Sequence, residues 1–349
     1  MRASVIVPAY NEEQNIGSLL RRLVADRAAD STIDDIVLVA SGCTDRTVAE
    51  AEVVAQAARD IRIVEQADRE GKAAAINVAL TLTRHDNVVL VSGDVLPAPG
   101  TISKLLRGLD DPQVGAVGGR PVPMNDQSTF AGFAANLLWR LHHDINELMP
   151  EHPKCGEMIA FRKRMGEQSV VPAIAADSAV DEVDVQALVH RAGLRSHYAG
   201  DAIVHTWGPS SVSDWFKQRR RINAGHLVYS KLGYTPSTMK LSLIVKAFRS
   251  DPLLRRRPLW TAAVIALEAA ARVAGRLDLL RGEKHTIWNV ANSTKRRLEP
   301  APAADEPPIA ELPEIFRQPA VNGHHTEEPG TAPATAVAMA AANEEAEDA

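Results

Sequence analysis

The chain has 349 residues, of which 45% are hydrophobic, 24% charged and 4% aromatic, with only two cysteines. This excludes a wholly disordered chain and a small disulfide-stapled domain, and the absence of a basic stripe interleaved with aromatics disfavours a dedicated nucleic-acid binder. The formal net charge of -5 arises at the end of the chain: residues 301–349 carry ten acids and the single base Arg317, whereas residues 1–300 carry 38 bases and 34 acids.

The first residues lack an apolar core followed by a small-residue cleavage site, so a reducing cytoplasm is the expected setting and Cys43 and Cys155 are expected to be free thiols. An apolar run at Val5-Ile6-Val7 ends at Pro8, and Ile16, Leu19, Leu20 and Leu23 then recur at helical spacing. The same strand, loop and helix unit returns three times. It reappears at Ile36–Val39 with the loop Ser41–Asp45, at Ile61–Glu65 with Gly71-Lys72, and at Val88–Val91 with Ser92-Gly93-Asp94. Continuous apolar strands alternating with helices predict an α/β fold whose loops gather at the carboxyl edge of a parallel sheet.

Beyond Val114 the pattern predicts a short strand, a helix over 129–148, a strand over 158–161, a helix after Asp181, a strand at 202–204 before His205, and a helix over 211–229. A longer apolar helix is expected over 259–280. Glu268, Arg272 and Arg276 argue against a span, leaving a helix packed on the domain or lying in the membrane interface. Past residue 300, seven prolines and no apolar period predict a disordered acidic tail.

The loops share a chemistry. Pro8, Tyr10 and Glu12 offer a ring and a carboxylate suited to a nucleoside, although acids at a helix start also cap it. Ser41 lies in an ordinary turn. Lys72 brings a cation to a helix start, a place suited to phosphate oxygens or equally to solvent.

Taken in order, Val7–Glu12, Ser41–Thr47, Gly71–Asn77 and Ser92–Asp94 resemble the VPxYNE, DGSTDGT-like, GKxxAxN and DXD elements of family 2 glycosyltransferases of the GT-A fold. The likeness continues in Cys155-Gly156-Glu157, in Asp181–Asp184 and in Gln218–Arg221. It implies a mostly parallel mixed sheet flanked by helices, divided into a catalytic domain over 1–230, a C-terminal helical region over 231–299 and the tail over 300–349.

The resemblance also implies an inverting glycosyltransferase that takes a nucleotide-sugar donor with Mg2+ or Mn2+. Asp94 would be the metal ligand, with Ser92 standing where the family often has a first aspartate, and His205 would be a second ligand. Glu182, then Asp181, would be the general base. Pro8, Tyr10, Glu12, Ser41, Lys72, Ser92, Gln218 and Arg221 would hold the donor. Ile222 replaces the tryptophan of the QxxRW element, and Ala40-Ser41 replace paired aspartates that commonly read uracil. The acceptor is left open among a lipid phosphate, a metabolite and a glycan. The expected location is cytoplasmic, with attachment to the inner face of the membrane as a second expectation. A non-catalytic nucleotide- or glycan-binding protein and a nucleotidyltransferase are the rival readings.

Overall fold

The computed structural model describes residues 1–30, 33–250, 257–283 and 292–298. The expected tail lies outside them. Strands β1 (Ala3–Ala9), β2 (Ile33–Ser41), β3 (Ile61–Gln66) and β4 (Asn87–Val91) are parallel, and the eight-stranded sheet runs β3-β2-β1-β4-β7-β6-β10-β5. Register places Val5 between Ile36 and Val89. The sheet becomes mixed where β7 (Met158–Arg162) runs antiparallel between β4 and β6 (Val114–Pro123), and where β5 (Val95–Pro97) runs antiparallel to β10 (Arg195–Thr206).

The central strands are apolar over most of their length because both faces are covered, and the buried exceptions Ser4 and Asp35 are hydrogen-bonded to each other at 2.6 Å. Val5, Val7, Ile36 and Leu38 pack on the side of α1 (Ile16–Asp30), α2 (Thr47–Ala55) and α4 (Thr101–Gly108). Ile6, Val37, Val39 and Leu90 pack on the side of α3 (Lys72–Leu82) and α6 (Asp181–Arg191).

Two strands are longer than their apolar runs suggest, since β6 and β10 spend many positions on glycine and polar residues. They pair with each other along most of their length. Strand β5 is three residues long, too short to carry a period of its own, and exists because β10 offers it an edge.

The C-terminal elements are α5 (Phe130–Leu148), α7 (Val212–Lys231), α8 (Leu241–Ser250) and α9 (Pro258–Arg281). Thr129 caps α5 by accepting from Gly132 N–H, and Ser211 caps α7 by accepting from Asp214 N–H. Trp260 of α9 meets Phe130 and Phe133 of α5 edge-on, at 5.7 and 5.6 Å between ring centroids. A Cβ on Gly275 would lie 2.8 Å from the Arg220 carbonyl oxygen, so glycine is what lets α9 approach α7 this closely.

Charge fastens the same seam. Arg219 donates to both oxygens of Glu268, at 2.8 and 3.0 Å, and Arg272 adds a third bond at 2.9 Å. Arg220 forks onto Asp278 and also reaches Glu283. The long apolar helix is therefore packed on the domain, with α7 and α9 in contact across the expected boundary at residue 230.

Burial pushes the Glu268 carboxyl up, but the Arg219 charge and the bonds from Arg219 and Arg272 outweigh it and bring the pKa from 4.5 down to about 2. A carboxylate with a depressed folded pKa contributes stability that is present above 4.5 and lost as pH falls toward 2. Glu268→Ala would leave the Arg219 guanidinium buried without its partner. Urea unfolding at neutral pH is expected to show a loss of about 3 kcal/mol, and the variant should lack the wild type's additional loss of stability on acidification through that window.

Candidate active site

The carboxyl ends of β1 to β4 and of β10 surround a cavity of about 900 Å³. Its polar end is lined by Pro8, Tyr10, Glu12, Ser41, Lys72, Ser92, Asp94, Asp181, Glu182, Gln218 and Arg221. Eleven of the twelve residues singled out from the sequence thus share one space. His205 is not among the lining residues: its neighbour Thr206 faces the cavity, while His205 sits in the ladder of β10 opposite Leu96 and Val122.

The first two loops are clasped to each other. Asn11, with φ +53°, accepts from Thr44 N–H at 2.8 Å and donates to the Thr44 hydroxyl at 3.1 Å. Glu12 N–H donates to the Thr47 hydroxyl at 2.6 Å, and Glu13 N–H donates to Asp45 at 3.1 Å. These motif side chains are spent on shaping the loops. Gly42, with φ +59°, lies so close to the third loop that a Cβ would sit 2.4 Å from Arg69 N.

Lys72, at the start of α3, is the hub. Its ammonium lies 2.8 Å from Asp181, 3.9 Å from Glu182 and 2.9 Å from the Ser92 hydroxyl. Burial disfavours its charge, but Asp181 and Glu182 outweigh that cost and hold it well above the ordinary lysine range. Both acids occupy the first turn of α6, whose N-cap is Val180 without a side-chain cap. They face the lysine rather than capping the helix.

Arg221 donates to the Ala179 carbonyl at 2.6 Å, immediately before those acids. Burial lowers its pKa, offset in part by Asp181, Glu182 and Glu157. All three consecutive arginines of α7 line the cavity, but the first two are engaged by acids of α9 and the third lies beside Asp181 and Glu182.

The sequence reading assigned no role to several lining groups. Glu157, in the left-handed region at φ +59°, has its carboxyl raised by burial and by the charges of Asp94 and Glu182. Lys154, Trp139 and His142 line the wall beyond it, and burial holds His142 well below the ordinary histidine range. Lys295 arrives from the far end of the chain. It donates to the carbonyls of Tyr10 and Asn11 and to Glu12, while Arg69 lies 4.1 Å from the centroid of the Tyr10 ring. No local signal marked Lys295, because its partners are more than 280 residues away in sequence.

The C-terminal helices give the cavity an apolar stretch of wall. Leu138, Leu141 and Ile145 of α5, Leu241, Ile244 and Phe248 of α8, and Val264, Ile265 and Ala269 of α9 form it, beside the paired charges of Arg219, Glu268 and Arg272.

Asp94 lies where these charges converge, since its carboxylate raises Glu12 and Glu157 and helps hold Lys72 protonated. Among the described residues no cluster of three His, Cys, Asp or Glu groups is arranged to hold a metal by itself. The crowding of carboxylates around Asp94 nevertheless suits a divalent cation that takes one or two protein carboxylates and completes its shell with phosphate oxygens and water.

Residues 4–168 match the glycosyl transferase family 2 profile. An uncharacterized protein of Methanocaldococcus jannaschii is 32% identical over 145 residues, covering 39% of this chain and 60% of that protein. A dolichol-phosphate mannosyltransferase of Saccharomyces cerevisiae is 28% identical over 109 residues, 31% of this chain and 41% of that one. The chain spans less than two thirds of the length of these curated relatives. Among solved structures, a mannosyltransferase from Pyrobaculum calidifontis in complex with GDP-Man and Mn2+ superposes with a TM-score of 0.54 at 24% identity, covering 80% of this chain and 79% of that one, and shares the GT-A fold.

Burial raises the Glu12 carboxyl from 4.5 to about 7, with Asp94 adding to the rise and Lys295 opposing it. Lys295→Met removes the opposing cation, so the Glu12 midpoint is expected to move above about 7. A carboxyl-carbon NMR titration, assigned with Glu12→Gln, checks this, and an unmoved midpoint would mean that the two groups are apart in solution.

Proposed function

We propose that this protein transfers a sugar, with inversion at the anomeric carbon, from a nucleoside diphosphate donor to a hydroxyl or phosphate oxygen of an acceptor. The observation that carries the reading is the Lys72 bridge, which sets Asp181 and Glu182 beside Ser92 and in the same cavity as Asp94. One displacement needs two separated jobs: negative charge leaving with the diphosphate must be met by cations, and a proton leaving the acceptor must be met by a carboxylate.

Glu182 is assigned the second job, with Asp181 held by Lys72 as its neighbour. As the acceptor oxygen bonds to the anomeric carbon, the carbon–oxygen bond to the diphosphate breaks, and a hydroxyl acceptor passes its proton to Glu182. An acceptor already ionised as a phosphate needs no base, and there Glu182 would position it. Arg221 and Lys72 supply positive potential toward the diphosphate, and Tyr10, Glu12, Ser41 and Gln218 line the part of the cavity that would seat the nucleoside.

Asp94 would hold a Mg2+ or Mn2+ ion, which when bound would neutralise charge developing on the leaving diphosphate. His205 supports this role less well, because Thr206 takes the place on the cavity wall. The relative in Saccharomyces cerevisiae named for dolichol phosphate and the apolar stretch of the cavity wall together favour an acceptor with a hydrocarbon portion over a small metabolite or a growing glycan.

A thermal-shift screen of nucleotide sugars with Mn2+ and Mg2+ tests the donor, since a bound ligand raises apparent stability by mass action. With the donor that this screen selects and a hydroxyl acceptor, Glu182→Gln is expected to lower turnover by roughly 10²- to 10⁴-fold while leaving the shift in place. Asp94→Ala is expected to remove the metal-dependent part of the shift as well as turnover. Transfer at wild-type rates by both variants would refute the assignment.

A further inference from the structure

Helix α9 is apolar on two faces. Its inward side buries Val264 and Ala271 together with Thr261, Gly275, Glu268 and Asp278, the two acids neutralised by arginines of α7, while its outward stripe follows the alternating four- and three-residue steps of Leu259, Ala263, Ala266, Ala270, Val273, Leu277 and Leu280. Leu259 is 83% exposed, Val273 57% and Leu280 80%, so nothing among the described residues covers this face. Burying charge while exposing leucine is unfavourable for a helix that meets only water. The charges around this face limit the chemistry of what would cover it.

The charges bordering the stripe are of one sign. Arg257 stands at its start, and Arg276 and Arg281 are exposed near its end, while Glu283, the acid just beyond, is engaged by Arg220. Arg255 and Arg256 precede it in the sequence and lie outside the described residues. An apolar strip edged by cations and, among the described residues, free of unpaired acid complements an anionic lipid surface, where the arginines meet the headgroup charge and the leucines enter the headgroup boundary. A second copy of the same strip would bring arginine against arginine in either orientation, so the charges disfavour self-pairing.

The rim of the cavity agrees with this. Leu241 of α8, 71% exposed, and Ile265 of α9, 48% exposed, both belong to its apolar stretch of wall, so that stretch reaches the surface beside the stripe. We propose that the outward face of α9 docks on an anionic bilayer. The reading of the acceptor as an amphiphile gains a route of entry from this, but the docking itself rests on the helix and stands apart from the chemistry.

The test uses the full chain without nucleotide or acceptor, so its outcome is independent of sugar transfer. Co-sedimentation with phosphatidylcholine vesicles is compared with vesicles containing about 30 mol % phosphatidylglycerol, at about 0.1 M and about 0.5 M salt. Binding is expected to the anionic vesicles at low salt, with at least a roughly tenfold loss for Leu259→Asp/Leu280→Asp and a similar loss for Arg276→Ala/Arg281→Ala. The substituted side chains are exposed, and circular dichroism confirms that the variants fold. Absence of sedimentation with either vesicle, or unchanged binding by both variants, would overturn the proposal. So would light scattering that shows a dimer dissociated by Leu259→Asp/Leu280→Asp.

Discussion

The site depends on one buried cation. Lys72 lies within ion-pair distance of Asp181 and within hydrogen-bond distance of Ser92. It thereby joins the end of β4 to the start of α6, segments separated by some ninety residues of chain. A lysine placed so deeply is costly unless paired, and two carboxylates at a helix start repel each other unless neutralised. Each group makes the other's position tolerable. The arrangement leaves Glu182, the more loosely engaged of the two, facing the cavity.

Much of the fold was legible in the sequence because a strand covered on both faces must be apolar over most of its length. Val5–Val7, Ile36–Val39 and Val88–Val91 announce themselves in this way, and the glycine-bearing turns after them mark the edge where the loops gather. The pattern falls silent where strands are held by neighbours instead of by composition. Strand β5 and the polar ends of β10 exist through pairing, which no local window contains. Helix α8 was missed too: its ten residues offer only a brief amphipathic period after a proline-containing turn.

The site followed the same division. Asp94, Lys72, Asp181 and Glu182 stand out in the sequence because each sits directly beside a strand or helix boundary with a recognisable motif, and the fold brings all four to one cavity. In the Arg219-Arg220-Arg221 run all three line the cavity, but distant partners separate them: Glu268 and Asp278 engage the first two, while Arg221 donates to the Ala179 carbonyl beside the acids of α6. His205 is placed apart from the others, since one residue of shift along a strand changes which face a side chain occupies, and Thr206 is the one that lines the cavity. Glu157 was visible as part of a motif, but its charge environment comes from three separate loops.

Lys295 shows how the end of the described chain enters the pocket. Leu298, next along the same short segment, is buried and donates its backbone N–H to Asn15, which pins the segment against the start of α1. The lysine then crosses the opening beside Tyr10 and satisfies two main-chain oxygens that would otherwise face into it. This stretch belongs to the wall of the vessel and not to its handle. Shortening the protein before residue 292 to obtain a tidier fragment would therefore open a breach next to Tyr10, and affinities measured on such a fragment would describe a different receptacle.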